Sequence, residues 1–319
     1  MIIATIYSAS FDSLQKERRG IKYPHMLNMT LEQGQQIFLK ALAGNNFSIE
    51  SIRAYNADIT QFVEFLKSVR ADWNYPKKLQ RLDIVEFMNR LSGMKRTGTT
   101  RARKLASLRH FLKFLKENDV IAGNPAETIT RARKEEKDPA VLFKNEYKAL
   151  LFEAQGNSRD YAILLTFLKS GIRESELAAL KLEDVDFVHD ELIVREGKGK
   201  KERKIPLMPE LKTALQRYVG EREQQRNIVD VETLFLARNG TSLNPSSIRK
   251  LVKKYYTKAG VRKSGVHTLR HTFSAHNVNN GMSIADLQKV LGHKKKETTL
   301  KYIHVVNTSL RETMLKTQA

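Results

Sequence analysis

From Arg131 to Pro139 the chain reads RARKEEKDP, nine residues without a bulky apolar side chain and closed by proline. Such a run cannot be buried in a hydrophobic core, so it separates what folds before it from what folds after it. At 319 residues the chain also exceeds the length over which one core keeps growing. The expected layout is an extension over 1–29, a helical domain over 30–130, a linker over 131–140 and a second domain over 141–319 that ends in a tail.

Before the linker the apolar residues repeat at helical spacing. Ile52, Tyr55, Ile59, Phe62, Val63 and Leu66 place an amphipathic helix over Ser51 to Val69. A second helix is expected near Arg81 to Leu91. A third, Thr99 to Glu117, carries Leu105, Leu108, Phe111, Leu112 and Leu115 on one face, with Arg101, Arg103, Lys104, Arg109, Lys113 and Lys116 crowding the rest. No acid occurs in that stretch before Glu117, so pairs along the helix cannot balance the charge. A solvated face is one explanation. A face laid along a nucleic-acid backbone is the better one, with Arg101, Arg103, Lys104, Arg109 and Lys113 as its contacts. The whole composition agrees: 56 Lys and Arg against 35 Asp and Glu leave a net charge of +21, which favours a polyanionic partner.

After the linker the pattern is mixed. Helices are expected over Lys144 to Ala154, Asp160 to Ser170, Pro209 to Gln225, Ser246 to Ala259, Thr268 to Asn279, Ile284 to Leu291 and Thr298 to Tyr302. Two strands, Glu191 to Arg195 and Glu202 to Leu207, flank Gly197-Lys198-Gly199-Lys200 as a β-hairpin. The fold class is thus mainly α with a small β-sheet.

Several chemistries can be set aside. With no cysteine there is no disulfide, thiolate metal site or cysteine nucleophile. No GxxxxGK[ST] loop cradles a nucleotide. His267 and His271 have a metal-ligand spacing, but Thr268 stands where HExxH needs Glu, so no metal and no cofactor are expected. No apolar run approaches the roughly 20 residues of a membrane span. The opening residues lack a secretory pattern, and a prokaryotic, cytoplasmic, nucleoid-associated location is expected.

What remains is a set of cations and one tyrosine. His267 and Arg270 are one helical turn apart and can face one target. Arg173 follows Ser170-Gly171-Ile172 and is expected at a helix entrance. Lys198 lies at the hairpin tip. His293 follows Leu291-Gly292, a helix stop, and Tyr302 comes nine residues later. Taken singly, each has an ordinary structural explanation.

Together, the segments GIRESELAALKLEDVDF, GKGKKERKIPL, HTLRHTFSAH, LGH and TTLKYIHV resemble, in order and spacing, the catalytic domain of the tyrosine recombinase, or phage integrase, family. The match spans about Lys144 to Val305. The section from about Thr30 to Ile129 resembles the family's core-binding domain more weakly. The resemblance implies a SAM-like helical domain and an α+β catalytic domain that form a C-shaped clamp on DNA. It implies that Tyr302 attacks a phosphate to form a 3′-phosphotyrosine. Arg173 and Arg270 would hold the non-bridging oxygens, Lys198 would protonate the leaving oxygen, and His267 and His293 would assist. Glu176 would orient Arg173. It further implies double-stranded DNA with a specific core site, a homotetramer on two sites, exchange through a Holliday junction and docking of the C-terminal segment onto a neighbour. An accessory protein is a possible further partner. The two-domain layout looks closest to Xer-like and transposon resolvase members. Lys294-Lys295-Lys296 and Ile303 depart from common family residues. A type IB topoisomerase-like relaxing enzyme and a non-catalytic DNA-binding regulator stay open as alternatives.

Overall fold

The computed structural model describes residues 29–132, 139–195, 202–262, 265–293 and 298–302. The chain divides into two compact units, Met1–Glu136 and Lys137–Ala319.

The described part of the first unit is helical. α1 (Leu31–Gly44) starts at a reciprocal cap: Thr30 accepts from the Gln33 amide at 3.2 Å, and Gln33 accepts from the Thr30 amide at 2.9 Å. α2 (Ile49–Val69) and α4 (Gly98–Glu117) are capped by Ser48 and Thr97, and α3 (Arg81–Gly93) lies between them. Their apolar stripes meet in one core that includes Phe38, Ile59, Phe62, Phe87, Leu108 and Phe111. Of the residues that mark the periodicity in the sequence, Ile59, Phe62, Val63, Leu66, Leu105, Leu108, Phe111, Leu112 and Leu115 are buried here, and Ile52 and Tyr55 pack partly buried against the same core.

The second unit is built round α6 (Ser158–Ser170), whose residues Ala162 to Leu168 are all buried. It packs against α8 (Pro209–Glu223) and α10 (Val266–Asn279), with α5 (Lys144–Ala154) and α9 (Pro245–Lys258) completing the layer. The short α7 (Glu174–Ala179) follows α6, and α11 (Ile284–Leu291) follows α10. β1 (Val185–Asp186), β2 (Glu191–Arg195) and β3 (Glu202–Pro206) form an antiparallel sheet in that order, with Leu192 opposite Ile205 and Arg195 opposite Glu202. Leu192 and Val194 alternate into the core, as a one-faced strand requires. The hairpin expected from the sequence is therefore present in its strands, while Lys198 at its tip lies outside the described residues.

Among the described residues, no helix is long and apolar enough to cross a membrane.

Candidate active site

Two helices of the second unit end alike. α6 stops at Gly171 and α11 at Gly292, both left-handed with φ of 62°. Glycine takes this conformation without the steric cost of a Cβ. At Gly171 a Cβ would also fall 2.3 Å from Cδ1 of Phe273. Each helix end leaves backbone carbonyls without an intrahelical partner, at the negative end of a helix dipole.

Three arginines satisfy those carbonyls. Arg203 donates through Nε to the Val290 carbonyl at 2.7 Å, Arg270 through Nη2 to that of Leu291 at 2.8 Å, and Arg173 through Nη2 to that of Gly292 at 3.2 Å. Arg270 also donates to the Gly171 carbonyl at 2.6 Å, linking the two helix ends. Arg173 stands at the N-cap of α7, the helix entrance expected for it.

Among the described residues, one carboxylate serves this cluster. Glu176 accepts from the Arg173 amide and Nη1, both at 2.7 Å, and from Arg203 Nη1 and Nη2 at 3.1 and 2.8 Å. Burial disfavours its charged form, but the hydrogen bonds from Arg203 and from the Arg173 amide outweigh that and hold its pKa at about 2. Three guanidiniums against one carboxylate leave two positive charges in excess. Arg270 is 4% exposed, and this burial, together with the charge of Arg173, brings its pKa down to about 10. It remains charged at neutral pH. A half-buried cationic cluster held by backbone dipoles suits a phosphate, which supplies the missing negative charge.

His293 lies against it. An arginine can only donate, so Nε2 of His293 accepts from Arg270 Nη2 at 3.0 Å. The neutral ring then carries its proton on Nδ1, facing Thr299 Oγ1 at 2.8 Å. Desolvation and the neighbouring cations, Arg270 foremost, hold its pKa down at about 4. In this arrangement Nε2 carries no proton to donate to a phosphate, so for His293 to assist there Nε2 must first give up Arg270. His267 lies exposed on α10, its pKa lowered by desolvation and by Arg270.

Tyr302 is 1% exposed and packs with Phe273, Leu287 and Leu291. Its hydroxyl lies 2.8 Å from Nδ1 of His271. Desolvation raises the pKa of Tyr302, and desolvation with Lys301 nearby lowers that of His271 to about 4. The structure thus brings Arg173, Glu176, Arg270, His293 and Tyr302 into one region of one unit.

Sequence reasoning missed Arg203, His271 and Thr299. The hairpin segment that carries Arg203 is the one signal that points to it. His271 enters the sequence reading only through a metal-ligand spacing with His267 that is set aside there.

The basic face of α4 needs correction. Lys104 is 8% exposed, with Nζ 2.8 Å from Oδ1 of Asp58 on α2. Arg103 pairs with the same carboxylate, and Ser107 donates to it at 2.8 Å. Arg109 donates to the carbonyls of Ala126, at 2.8 Å, and Ile129. Lys104 and Arg109 therefore hold their own domain together instead of forming part of an open face. Their partners come from elsewhere in the chain, where a search along the helix could not find them. Arg101 donates to Ser92 at 3.0 Å, and Lys113 is exposed, 3.6 Å from Glu117.

Two compact units, one mainly helical and one carrying an arginine cluster beside a tyrosine, define a class of proteins with a site suited to an anion such as a phosphate. Residues 140–308 match the phage integrase family, and residues 36–119 match the phage integrase N-terminal SAM-like domain. The chain is 35% identical to tyrosine recombinase XerC of Thermodesulfovibrio yellowstonii over 268 residues, 81% of this chain and 86% of that one. It is similar to the crystal structure of XerA recombinase, with 27% identity, a TM-score of 0.53 and coverage of 91% and 99% of the two chains. It shares its fold with XerH site-specific recombinase bound to palindromic difH substrate, at 20% identity and a TM-score of 0.72, over 89% and 84%. The chain belongs to the phage integrase family and is a tyrosine-type site-specific recombinase.

Proposed function

We propose that Tyr302 is the nucleophile and that Arg173 and Arg270 hold the scissile phosphate. The single observation that carries this is the arginine cluster at the end of α11, with two uncompensated positive charges beside the buried tyrosine. The Tyr302 oxygen attacks phosphorus, its proton passes to a neighbouring base, and a 3′-phosphotyrosine forms as the 5′-oxygen leaves. Lys198 supplies the proton to that oxygen. Arg173 and Arg270 stabilise the charge that builds on the non-bridging oxygens. His267, exposed beside Arg270, and His293, once released by Arg270, assist at the phosphate. Attack by a 5′-hydroxyl of a partner duplex reverses the step, so the phosphodiester is conserved. Because the Tyr302 hydroxyl is buried against His271, cleavage requires it to turn outward.

The partner is double-stranded DNA carrying a specific core site. The net charge of +21 supports this, as does the likeness in fold to a recombinase solved as a post-cleavage complex with its substrate. Four active sites on two DNA sites make the working form a homotetramer, with the segment after Tyr302 docking on a neighbour. Exposed cations of α4, Arg103 and Lys113 among them, contribute to backbone contact. Nucleoid association follows from DNA binding.

The test is a nicked suicide duplex, built on a site selected from random-sequence DNA by binding to the full chain. Wild-type protein is expected to accumulate a covalent adduct and Tyr302→Phe none. Equal adduct from both would refute the assignment.

A further inference from the structure

We propose that Arg203 is a positioning residue for strand cleavage, fixing the arginine clamp by tying Glu176 and the end of α11 to the strand that leaves the Lys198 hairpin. The inference rests on the reading of the clamp given above.

Arg203 touches three elements at once. It belongs to β3, which begins at Glu202, four positions after Lys198. Its Nη1 and Nη2 grip the two oxygens of Glu176 at 3.1 and 2.8 Å, and its Nε takes the Val290 carbonyl at 2.7 Å. All three nitrogens of one planar guanidinium are therefore engaged, a geometry that lysine cannot reproduce. The side chain is 12% exposed and Glu176 is 8% exposed, so these bonds are largely shielded from water. Glu176 in turn fixes Arg173 by its amide and Nη1.

Arg203 differs from Arg173 in how much of its guanidinium the protein occupies. Arg173 gives only part of its fork to Glu176 and Gly292, and its side chain is 36% exposed, so it keeps access to a ligand. Arg203 is used up within the protein. It adds positive charge near the phosphate, but its main consequence is rigidity. Without it, Glu176 loses two of its four hydrogen bonds and the Val290 carbonyl loses its side-chain donor. Arg173 is then held by a carboxylate that is itself loose. Small displacements of a clamp residue are costly in catalysis, about tenfold to a hundredfold for shifts near 1 Å.

A second consequence distinguishes this role from simple structural support. Glu176 faces Arg173, Arg203 and Arg270. Burial works against its charge, and the hydrogen bonds from Arg203 do most to preserve it. Removing Arg203 takes away the hydrogen bonds that lower the pKa of Glu176 most, so that pKa moves up from about 2, against the amide and side chain of Arg173 that still hold it down. The charge on Glu176, and with it the hold on Arg173, is then lost at a higher pH than in the wild type.

The experiment measures single-turnover adduct formation on the same selected suicide duplex, at saturating protein, from pH 5 to 8. Arg203→Met is expected to cut the rate about tenfold or more at pH 7.5, to bind the duplex within about twofold of wild type and to lose further rate as pH falls to 5. Glu176→Gln in the Arg203→Met background is expected to abolish that acid loss. Arg203→Lys, which keeps the charge and spares the fold if Arg203→Met does not survive, is expected to fall between them and not to restore the rate. A wild-type rate and pH profile in either variant would overturn the proposal. So would loss of duplex binding in parallel with cleavage. If wild-type protein itself forms no adduct, the reading of the clamp fails, an outcome distinct from failure of Arg203 alone.

Discussion

Both units bury cations, and they balance them differently. In the first, Lys104 and Arg103 converge on Asp58, and Arg109 is spent on the carbonyls of Ala126 and Ile129. In the second, Arg173 and Arg203 gather round Glu176, the one carboxylate of the cluster among the described residues, and together with Arg270 they lean on the carbonyls at the end of α11. A buried carboxylate neutralises a cation almost fully, whereas a helix end offers only about half a charge. Each sets three cations against one carboxylate, but in the first the buried cation, Lys104, meets that carboxylate and Arg103 is 51% exposed, so water screens the excess and the arrangement is finished in the folded protein. In the second the excess is buried, with Arg270 4% exposed, and the arrangement is unfinished until an anion arrives. Burial of the excess charge, more than the number of basic residues, separates the two.

The largest test of that contrast removes a cation from the unfinished cluster. Arg270→Ala is expected to lower the rate of adduct formation by roughly a hundredfold to a thousandfold, the usual loss when one donor to a developing negative charge is deleted. It also strips the Gly171 and Leu291 carbonyls of their donor, at about 1–3 kcal/mol of stability. If adduct forms at the wild-type rate, the cluster does not serve the phosphate.

Asp58→Ala probes the finished arrangement. It leaves Lys104 buried without its partner and is expected to cost about 3 kcal/mol. The only tryptophan, Trp73, lies in this unit, so urea unfolding followed by its fluorescence reads the loss directly. A change below about 1 kcal/mol would mean that Lys104 reaches water when Asp58 is gone, and that the pair resembles a surface bridge.

How far this contrast is legible in the sequence depends on the kind of partner. Periodicity in α2 and α4 identifies their buried faces, because Ile59, Phe62 and Leu108 recur with the helical repeat. Gly171 and Gly292 mark helix ends, because few other residues accept that backbone. Asp58 is not recognisable as the partner of Lys104, because it lies 46 positions away and only packing brings it near. The cluster's framework is hidden for another reason. Its acceptors are backbone carbonyls of Val290, Leu291 and Gly292, and a carbonyl leaves no mark in the amino-acid sequence. His271 escapes notice because its neighbour Tyr302 meets it only when the two helices pack.

Acid should separate the units further. Among the described residues, His267, His271, His276 and His293 of the second unit have depressed pKa values, those of His271 and His293 at about 4, all led by desolvation. In the first unit only His110 is so placed among the described residues. A histidine held neutral in the fold but ordinary when unfolded lets the unfolded chain bind extra protons between about pH 6.5 and 4. Stability is therefore present above pH 6.5 and lost as pH falls towards 4. With allowance for solvent screening, about 1–2 kcal/mol should go from the second unit between pH 7 and 5. The urea midpoint by circular dichroism, which sees both units, should fall more than the midpoint by Trp73 fluorescence. Equal shifts would show that the histidines of the second unit are not held neutral.

The smallest effect on stability carries information of a different kind. Lys113 is exposed and sits 3.6 Å from Glu117, a loose pair on the solvent side of α4. Lys113→Ala should change the urea midpoint by no more than about 0.5 kcal/mol. If the outer face of α4 follows a DNA backbone, the same substitution should weaken duplex binding about equally across sequences and reduce the salt slope by about one. Lys104, already committed to Asp58, has no charge left to offer, so its contribution to the slope should be near zero once stability is corrected for. A full unit of slope from Lys113 and none from Lys104 would divide α4 into a face that binds and a face that builds. Equal slopes from both would mean that Lys104 leaves Asp58 for the phosphate, and that the first unit, too, is completed by its ligand.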